Sequence, residues 1–217
     1  MILKFCGFKT IKDVAKVNSL NIDMIGFIHF PKSKRHVDIQ HLNDLMHLVP
    51  RNIEKVVVVV NPTFKEIQNL IINTPLDCIQ FHGNEPIELI NKTKVNFKNI
   101  KIIKALPATA NIAESIKLYE NYTDLLIIDT PSEQYGGSGR KFNWKLLNNI
   151  QTSTPYLIAG GLDLESIQQL EQLNLKHAGY DISSGIESNH DKDLTKMNEI
   201  VNLVKGDLNY EEHPNGS

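Results

Sequence analysis

Short apolar runs and stretches of helical period alternate along this chain from one end to the other, and that alternation is its strongest constraint. The runs are Ile2–Cys6, Met24–Ile28, Lys55–Val60, Cys78–Phe81, Ile100–Ala105, Leu125–Asp129, Tyr156–Ala159 and Gly179–Ile182. They are brief and rich in β-branched residues, the pattern of parallel strands buried on both faces. Between them apolar residues recur at helical spacing, as in Ile11-Val14-Ala15-Val17, Leu42-Leu45-Met46-Val49, Ile67-Leu70-Ile71 and Ile167-Leu170-Leu173. Thr10, Thr63 and Asp163 stand where N-caps of three such helices belong.

Eight strands in strict β-then-α order fit a closed barrel better than an open sheet. An open doubly wound sheet would be marked by a GxGxxG turn after the first strand, where this chain has Cys6-Gly7. The expectation is therefore an α/β protein, a single-domain (βα)8 barrel of the TIM type over residues 1–206. Residues 207–217 are polar, with Pro214, Asn215 and Gly216, and read as a frayed tail. The 217 residues suffice for one core but leave little for long loops.

Bulk properties narrow the function. The net charge is −2 and no basic face stands out, which argues against nucleic acid. The two cysteines, Cys6 and Cys78, form neither a disulfide framework nor a metal-ligand spacing. The longest fully apolar run, Val56 to Val60, is too short to span a bilayer, and no signal peptide is expected. A soluble cytoplasmic protein without a cofactor or metal, monomer or homodimer, is the expectation.

Two segments late in the chain suggest the ligand. Ile158-Ala159-Gly160-Gly161 and Asp181-Ile182-Ser183-Ser184-Gly185 each follow a strand and present small residues where backbone N–H groups can approach a phosphate. They fall after strands seven and eight, where barrels commonly hold phosphate. A phosphorylated small molecule is the expected partner.

Candidate chemistry sits at the C-terminal ends of other strands. Cys6 ends the first strand, and Lys4, two residues earlier, shares its face. An ammonium there favours the thiolate, so a lowered cysteine pKa is expected; the plainer reading is a small buried hydrophobe. Asp129 ends the sixth strand and is followed by a long loop containing Gly136-Gly137-Ser138-Gly139. It reads as a turn residue or as a general acid under a closing loop. Arg35 lies in the basic segment Phe30-Pro31-Lys32-Ser33-Lys34-Arg35-His36, as solvated surface or as the partner of a substrate carboxylate. His82, in Gln80-Phe81-His82-Gly83, reads first as a hydrogen-bond partner of a neighbouring loop and second as catalytic. Cys78 reads as core. Asp181 either anchors the phosphate loop or contacts substrate.

These segments, in this order, resemble the phosphoribosylanthranilate isomerase family. The matching pieces are Lys4-Phe5-Cys6-Gly7, Gly26-Phe27-Ile28 with Lys32-Ser33-Lys34-Arg35, and Gln80-Phe81-His82-Gly83. Leu126-Ile127-Ile128-Asp129-Thr130 follows, then Gly136-Gly137-Ser138-Gly139 with Phe142 and Trp144. Ala159-Gly160-Gly161-Leu162 and Asp181-Ile182-Ser183-Ser184-Gly185-Ile186-Glu187 complete the set. The resemblance runs from Ile2 to about Val204. It implies a (βα)8 barrel and an Amadori rearrangement of N-(5-phosphoribosyl)anthranilate to 1-(2-carboxyphenylamino)-1-deoxyribulose 5-phosphate in tryptophan biosynthesis. It gives Cys6 the role of general base and Asp129 that of general acid. Arg35 would contact the anthranilate carboxylate, and Gly160-Gly161 with Ser183-Ser184-Gly185 would hold the phosphate. Lys34 stands where the family commonly has proline, Ser138 where it has threonine, and Asn84 and Asn143 where it has aspartate. Rival readings are another phosphate-binding barrel, such as indole-glycerol phosphate synthase or a metal-dependent epimerase, and a non-catalytic phosphosugar-binding module.

Overall fold

Parallel strands that are apolar on both faces need cover on both sides, and closure supplies it: side chains fill the inside while helices pack outside. The computed structural model describes residues 1–129, 147–148 and 150–206. Its eight barrel strands are β1 Ile2–Cys6, β2 Met24–Ile28, β3 Glu54–Val59, β4 Cys78–Phe81, β5 Lys101–Pro107, β6 Leu125–Asp129, β7 Tyr156–Ala159 and β8 Gly179–Ile182. All neighbours pair in parallel and β8 closes onto β1, with Lys4 beside Asp181 in the register. The barrel is as the sequence predicts, and six of the eight strands have the predicted bounds; β3 starts and ends one residue earlier, and β5 starts one residue later and runs on to Pro107. The tail 207–217 and the Gly136–Gly139 segment lie outside the described residues.

Alternation along each strand divides the core in two. Met24, Val56, Cys78, Ile103, Ile127 and Leu157 point inward and form a buried interior cluster. Leu3, Phe5, Ile25, Val57, Ile79 and Tyr180 point outward into the layer beneath the helices. The same parity turns Lys4, Cys6, Gln80, Asp129 and Asp181 toward the barrel axis.

The helices are α1 Ile11–Ala15, α2 Ile39–His47, α3 Phe64–Asn73, α4 Ile87–Asn96, α5 Ile112–Tyr119, α6 Leu164–Glu171 and α7 Leu194–Lys205. Thr10, Thr63 and Asp163 are N-caps, the last two in capping boxes. The helix predicted through Val17 stops at Ala15 and continues as a 3₁₀ turn, Lys16–Ser19. The periodicity missed α4, because only Ile90 and Thr93 of that helix are buried. A short hairpin was also missed: β9 Glu187–Ser188 and β10 Asp191–Lys192, with Lys192 opposite Glu187. Its two turn residues, Asn189 and His190, both have positive φ (54° and 70°), as a tight two-residue hairpin turn requires.

The N-terminal face of the barrel is tied by a repeated device. An aspartate directly before each of β2, β4 and β6 accepts a backbone N–H from the preceding strand: Asp23 from Leu3 (2.6 Å), Asp77 from Lys55 (2.8 Å) and Asp124 from Ile102 (2.8 Å). Each also pairs with a lysine, Lys205, Lys55 or Lys94. This face is built for stability, which leaves the opposite rim for chemistry.

Candidate active site

Cys6 lies at the end of β1, with Lys4 two residues below it on the same inner face. Lys4 is fully buried and its ammonium donates to Asp181 Oδ1 at 2.8 Å. Burial alone would drive the Lys4 pKa down; Asp181 and the Cys6 thiol outweigh it and hold the pKa above the ordinary lysine value. The sequence-based expectation for Cys6 needs correction. Burial pushes its thiol above the ordinary value, and Lys4 and Lys192 oppose that shift without reversing it. At a solvated thiol the neighbouring ammonium would lower the pKa, but this thiol is only 6% exposed and the desolvation cost is larger. Across from it, β2 supplies Gly26, where an added Cβ would come within 2.5 Å of the Cys6 sulfur and 3.1 Å of Lys4 Nζ. Only glycine leaves the thiol and ammonium their places.

Asp129 ends β6 and faces the same mouth. His82, just past β4, brings Nε2 to 3.3 Å from Asp129 Oδ2, both side chains being about 39% exposed. On its other side, His82 Nδ1 lies 3.2 Å from Gln80 Nε2. The loop that carries His82 rests on a second buried ion pair. Lys104 Nζ donates to Gly83 O at 2.6 Å and to Glu85 at 3.0 Å, and the Glu85 carboxylate accepts the N–H groups of Asn61 and Gly83. Lysine followed by two apolar residues in β5 gave no signal of this brace, since the partner lies on the preceding loop.

Arg35 is not solvated surface. Its guanidinium makes two parallel bonds to Glu187, from Nε at 2.8 Å and Nη2 at 2.6 Å. Those bonds raise its pKa above the ordinary arginine value. Burial would raise the Glu187 pKa, but Arg35 and Lys192 together hold it below the usual glutamate value. The remaining N–H groups of Arg35 are still available to a ligand carboxylate. Lys34 is exposed.

The two small-residue loops meet. Gly160 and Gly161 follow β7 with φ of 100° and 63°, successive left-handed positions suited to glycine. Gly185 packs so closely on the Leu162 carbonyl that a Cβ there would overlap it. Ser183 Oγ donates to the Cys6 carbonyl at 3.1 Å, which joins the β8 loop to the end of β1. Asp181, at the end of β8 just before that loop, is the buried partner of Lys4. Cys78 is fully buried, as expected. Fold and rim thus gather Cys6, Asp129, Arg35 and the Gly160, Gly161, Ser183, Ser184 and Gly185 loops at one end of the barrel. Among the described residues no group of three or more metal-ligating side chains occurs, and no helix is long and apolar enough to cross a membrane.

Comparison with known proteins agrees with this architecture. The family model for N-(5'phosphoribosyl)anthranilate (PRA) isomerase matches residues 3–203. The N-(5'-phosphoribosyl)anthranilate isomerase of Staphylococcus haemolyticus is 54% identical over 208 residues, covering 96% of this chain and 100% of that protein. The crystal structure of the Thermotoga maritima isomerase superposes with a TM-score of 0.81 at 28% identity, covering 95% of this chain and all of that one. A phosphoribosyl anthranilate isomerase structure in complex with reduced 1-(o-carboxyphenylamino)-1-deoxyribulose 5-phosphate gives a TM-score of 0.78 at 25% identity, with coverage of 95% and 100%. This chain belongs to the N-(5'-phosphoribosyl)anthranilate isomerase family.

Proposed function

We propose that this protein catalyses the Amadori rearrangement of N-(5-phosphoribosyl)anthranilate to 1-(2-carboxyphenylamino)-1-deoxyribulose 5-phosphate, with Asp129 as general acid and Cys6 as general base. The reaction needs an acid to protonate the ribose ring oxygen, so that the ring opens to a Schiff base. It then needs a base to remove the C2′ proton, giving an enolamine that tautomerises to the ketone. The observation that carries this reading is the position of the two groups on the rim. Cys6 ends β1 and Asp129 ends β6, three strands apart through β7 and β8, and both face the axis. A sugar lying over the mouth would have one group on each side.

Orientation is the other requirement. The loops after β7 and β8 would grip the phosphate through Gly160, Gly161, Ser183, Ser184 and Gly185. Arg35, aimed by Glu187, would take the anthranilate carboxylate at the other end. Anchoring both ends makes the proton transfers effectively intramolecular, which supplies a large share of the acceleration.

The test is a fluorescence assay in which N-(5-phosphoribosyl)anthranilate is generated in place and its disappearance followed with wild type and Cys6→Ser in parallel. Rapid loss with wild type alone supports both the reaction and the base. Rapid loss with both removes Cys6 as the base. No loss above the spontaneous rate with either overturns the reaction assigned here.

A further inference from the structure

We infer that Lys192 is a positioning residue, fixing the Cys6 backbone, the β8 loop and the Glu187–Arg35 pair in one arrangement. The inference rests on the reading of Cys6 as general base and of the β8 loop as part of the phosphate site. Lys192 is only 3% exposed. Its ammonium has three protons and meets three acceptors: Cys6 O at 2.6 Å, Ser183 O at 3.1 Å and Glu187 Oε1 at 2.7 Å. Every proton is therefore spent on a group at or beside the candidate site.

Each contact has a consequence. The Cys6 carbonyl, held by Lys192 and by Ser183 Oγ, fixes the backbone from which the thiol projects. In a trans peptide the carbonyl and the following N–H point to opposite sides. Holding the Ser183 carbonyl therefore turns the Ser184 N–H away from Lys192, at a set angle within the loop. The same Glu187 oxygen that receives Lys192 also receives Arg35 Nε at 2.8 Å. The ammonium thereby locates the carboxylate that aims the guanidinium.

Lys192 is itself held in place. The hairpin sets it opposite Glu187, and its backbone N–H donates to Asp13 Oδ1 at 3.2 Å while Lys16 donates to its carbonyl. The Phe8 ring lies 5.2 Å from the ammonium and closes its remaining side. Such a cation, buried and fully coordinated beside the thiol, also favours the thiolate.

The experiment compares Lys192→Met with the parent on a Cys78→Ser background, so that Cys6 is the single thiol. Four quantities are read: kcat, KM, competitive inhibition by inorganic phosphate, and the pH profile of Cys6 alkylation by iodoacetamide. The expected result is a fall in kcat of about tenfold to hundredfold, weaker phosphate inhibition, and an alkylation profile displaced to higher pH. A variant with parental kcat, phosphate inhibition and alkylation profile overturns the inference, even if its melting temperature falls, because the role would then be structural alone. If Lys192→Met does not fold, Glu187→Gln replaces it, keeping the shape while removing the shared charge. It is expected to weaken substrate binding and to move the alkylation profile to lower pH, because the cation near the thiol is no longer offset by the carboxylate, and unchanged values overturn the inference. Cys6→Ser separates the two claims. Full turnover in that variant defeats the base assignment, whereas the phosphate arm still decides whether Lys192 positions the loop.

Discussion

His82 Nε2 lies 3.3 Å from Asp129 Oδ2, joining the ends of β4 and β6 across the mouth of the barrel. On the other side of the ring, His82 Nδ1 lies 3.2 Å from the Gln80 amide nitrogen, so the imidazole is held between Gln80 and Asp129. The imidazole thus orients the carboxyl group proposed as the acid. His82→Ala is expected to lower kcat by about tenfold with KM little changed, and Asp129→Asn by about 10²–10⁴-fold. Steady-state kinetics checks both; a parental kcat in His82→Ala would leave the imidazole no part in the chemistry.

The raised thiol pKa of Cys6 has a sign that can be measured. Below its pKa the thiolate fraction grows with pH, so the base becomes more available as alkalinity rises. The ordinary value is 9.0, and burial sets this group above it. The kcat/KM of the free enzyme is therefore expected to climb between about pH 7 and about pH 9 instead of levelling off near neutrality. A flat profile over that interval would contradict the thiol as the titrating base.

Gly26 guards the space of the thiol. Gly26→Ala places a methyl group 2.5 Å from the Cys6 sulfur, so the sulfur or the strand must move. The expected cost is about 1–3 kcal/mol of stability, read by urea denaturation, together with a clear loss of turnover. Full activity in this variant would show that the position of Cys6 is not critical.

The Lys4–Asp181 pair is buried on both sides, at 0% and 9% exposure. Lys4→Met strands the Asp181 carboxylate inside the barrel, an effect expected to cost about 3–5 kcal/mol. The double variant Lys4→Met with Asp181→Leu is expected to recover much of that loss, because no charge is left without its partner. Denaturation of both variants checks this, and equal stability in the two would contradict it.

Glu187 predicts how the loops respond to acid. Its folded pKa lies below the ordinary value of 4.5, so the unfolded chain binds the proton more readily. The stability it contributes is complete above that ordinary value and is lost as pH falls through the folded pKa. Glu187→Gln is expected to flatten the acid limb of stability between about pH 5 and about pH 2. An unchanged limb in denaturation across that interval would assign the acid sensitivity to other carboxylates.

The strands and three helix caps were legible because each is written in local spacing: β-branched runs, apolar residues every three or four positions, a capping threonine or aspartate. The helix Ile87–Asn96 escaped because two of its residues satisfy its buried face. The Glu187–Lys192 hairpin escaped because its turn, Asn189-His190, is not among the strongest turn pairs. Strand parity correctly put Lys4 on the same face as Cys6, and strand order put the two small-residue loops side by side.

Sequence alone therefore determined the barrel, its orientation and which residues reach its rim, since periodicity and chain order are properties of neighbours along the chain. Closure decided the rest. Lys4 meets Asp181 across 177 positions, and Arg35 meets Glu187 across 152. Whether Cys6 ionises easily depends on how much water the closed barrel removes from it, weighed against the cations that closure brings near. Desolvation and long-range pairing exist only after the chain has folded, so the charge state of the thiol, the anchoring of Arg35 and the place of Lys192 were settled by the tertiary structure.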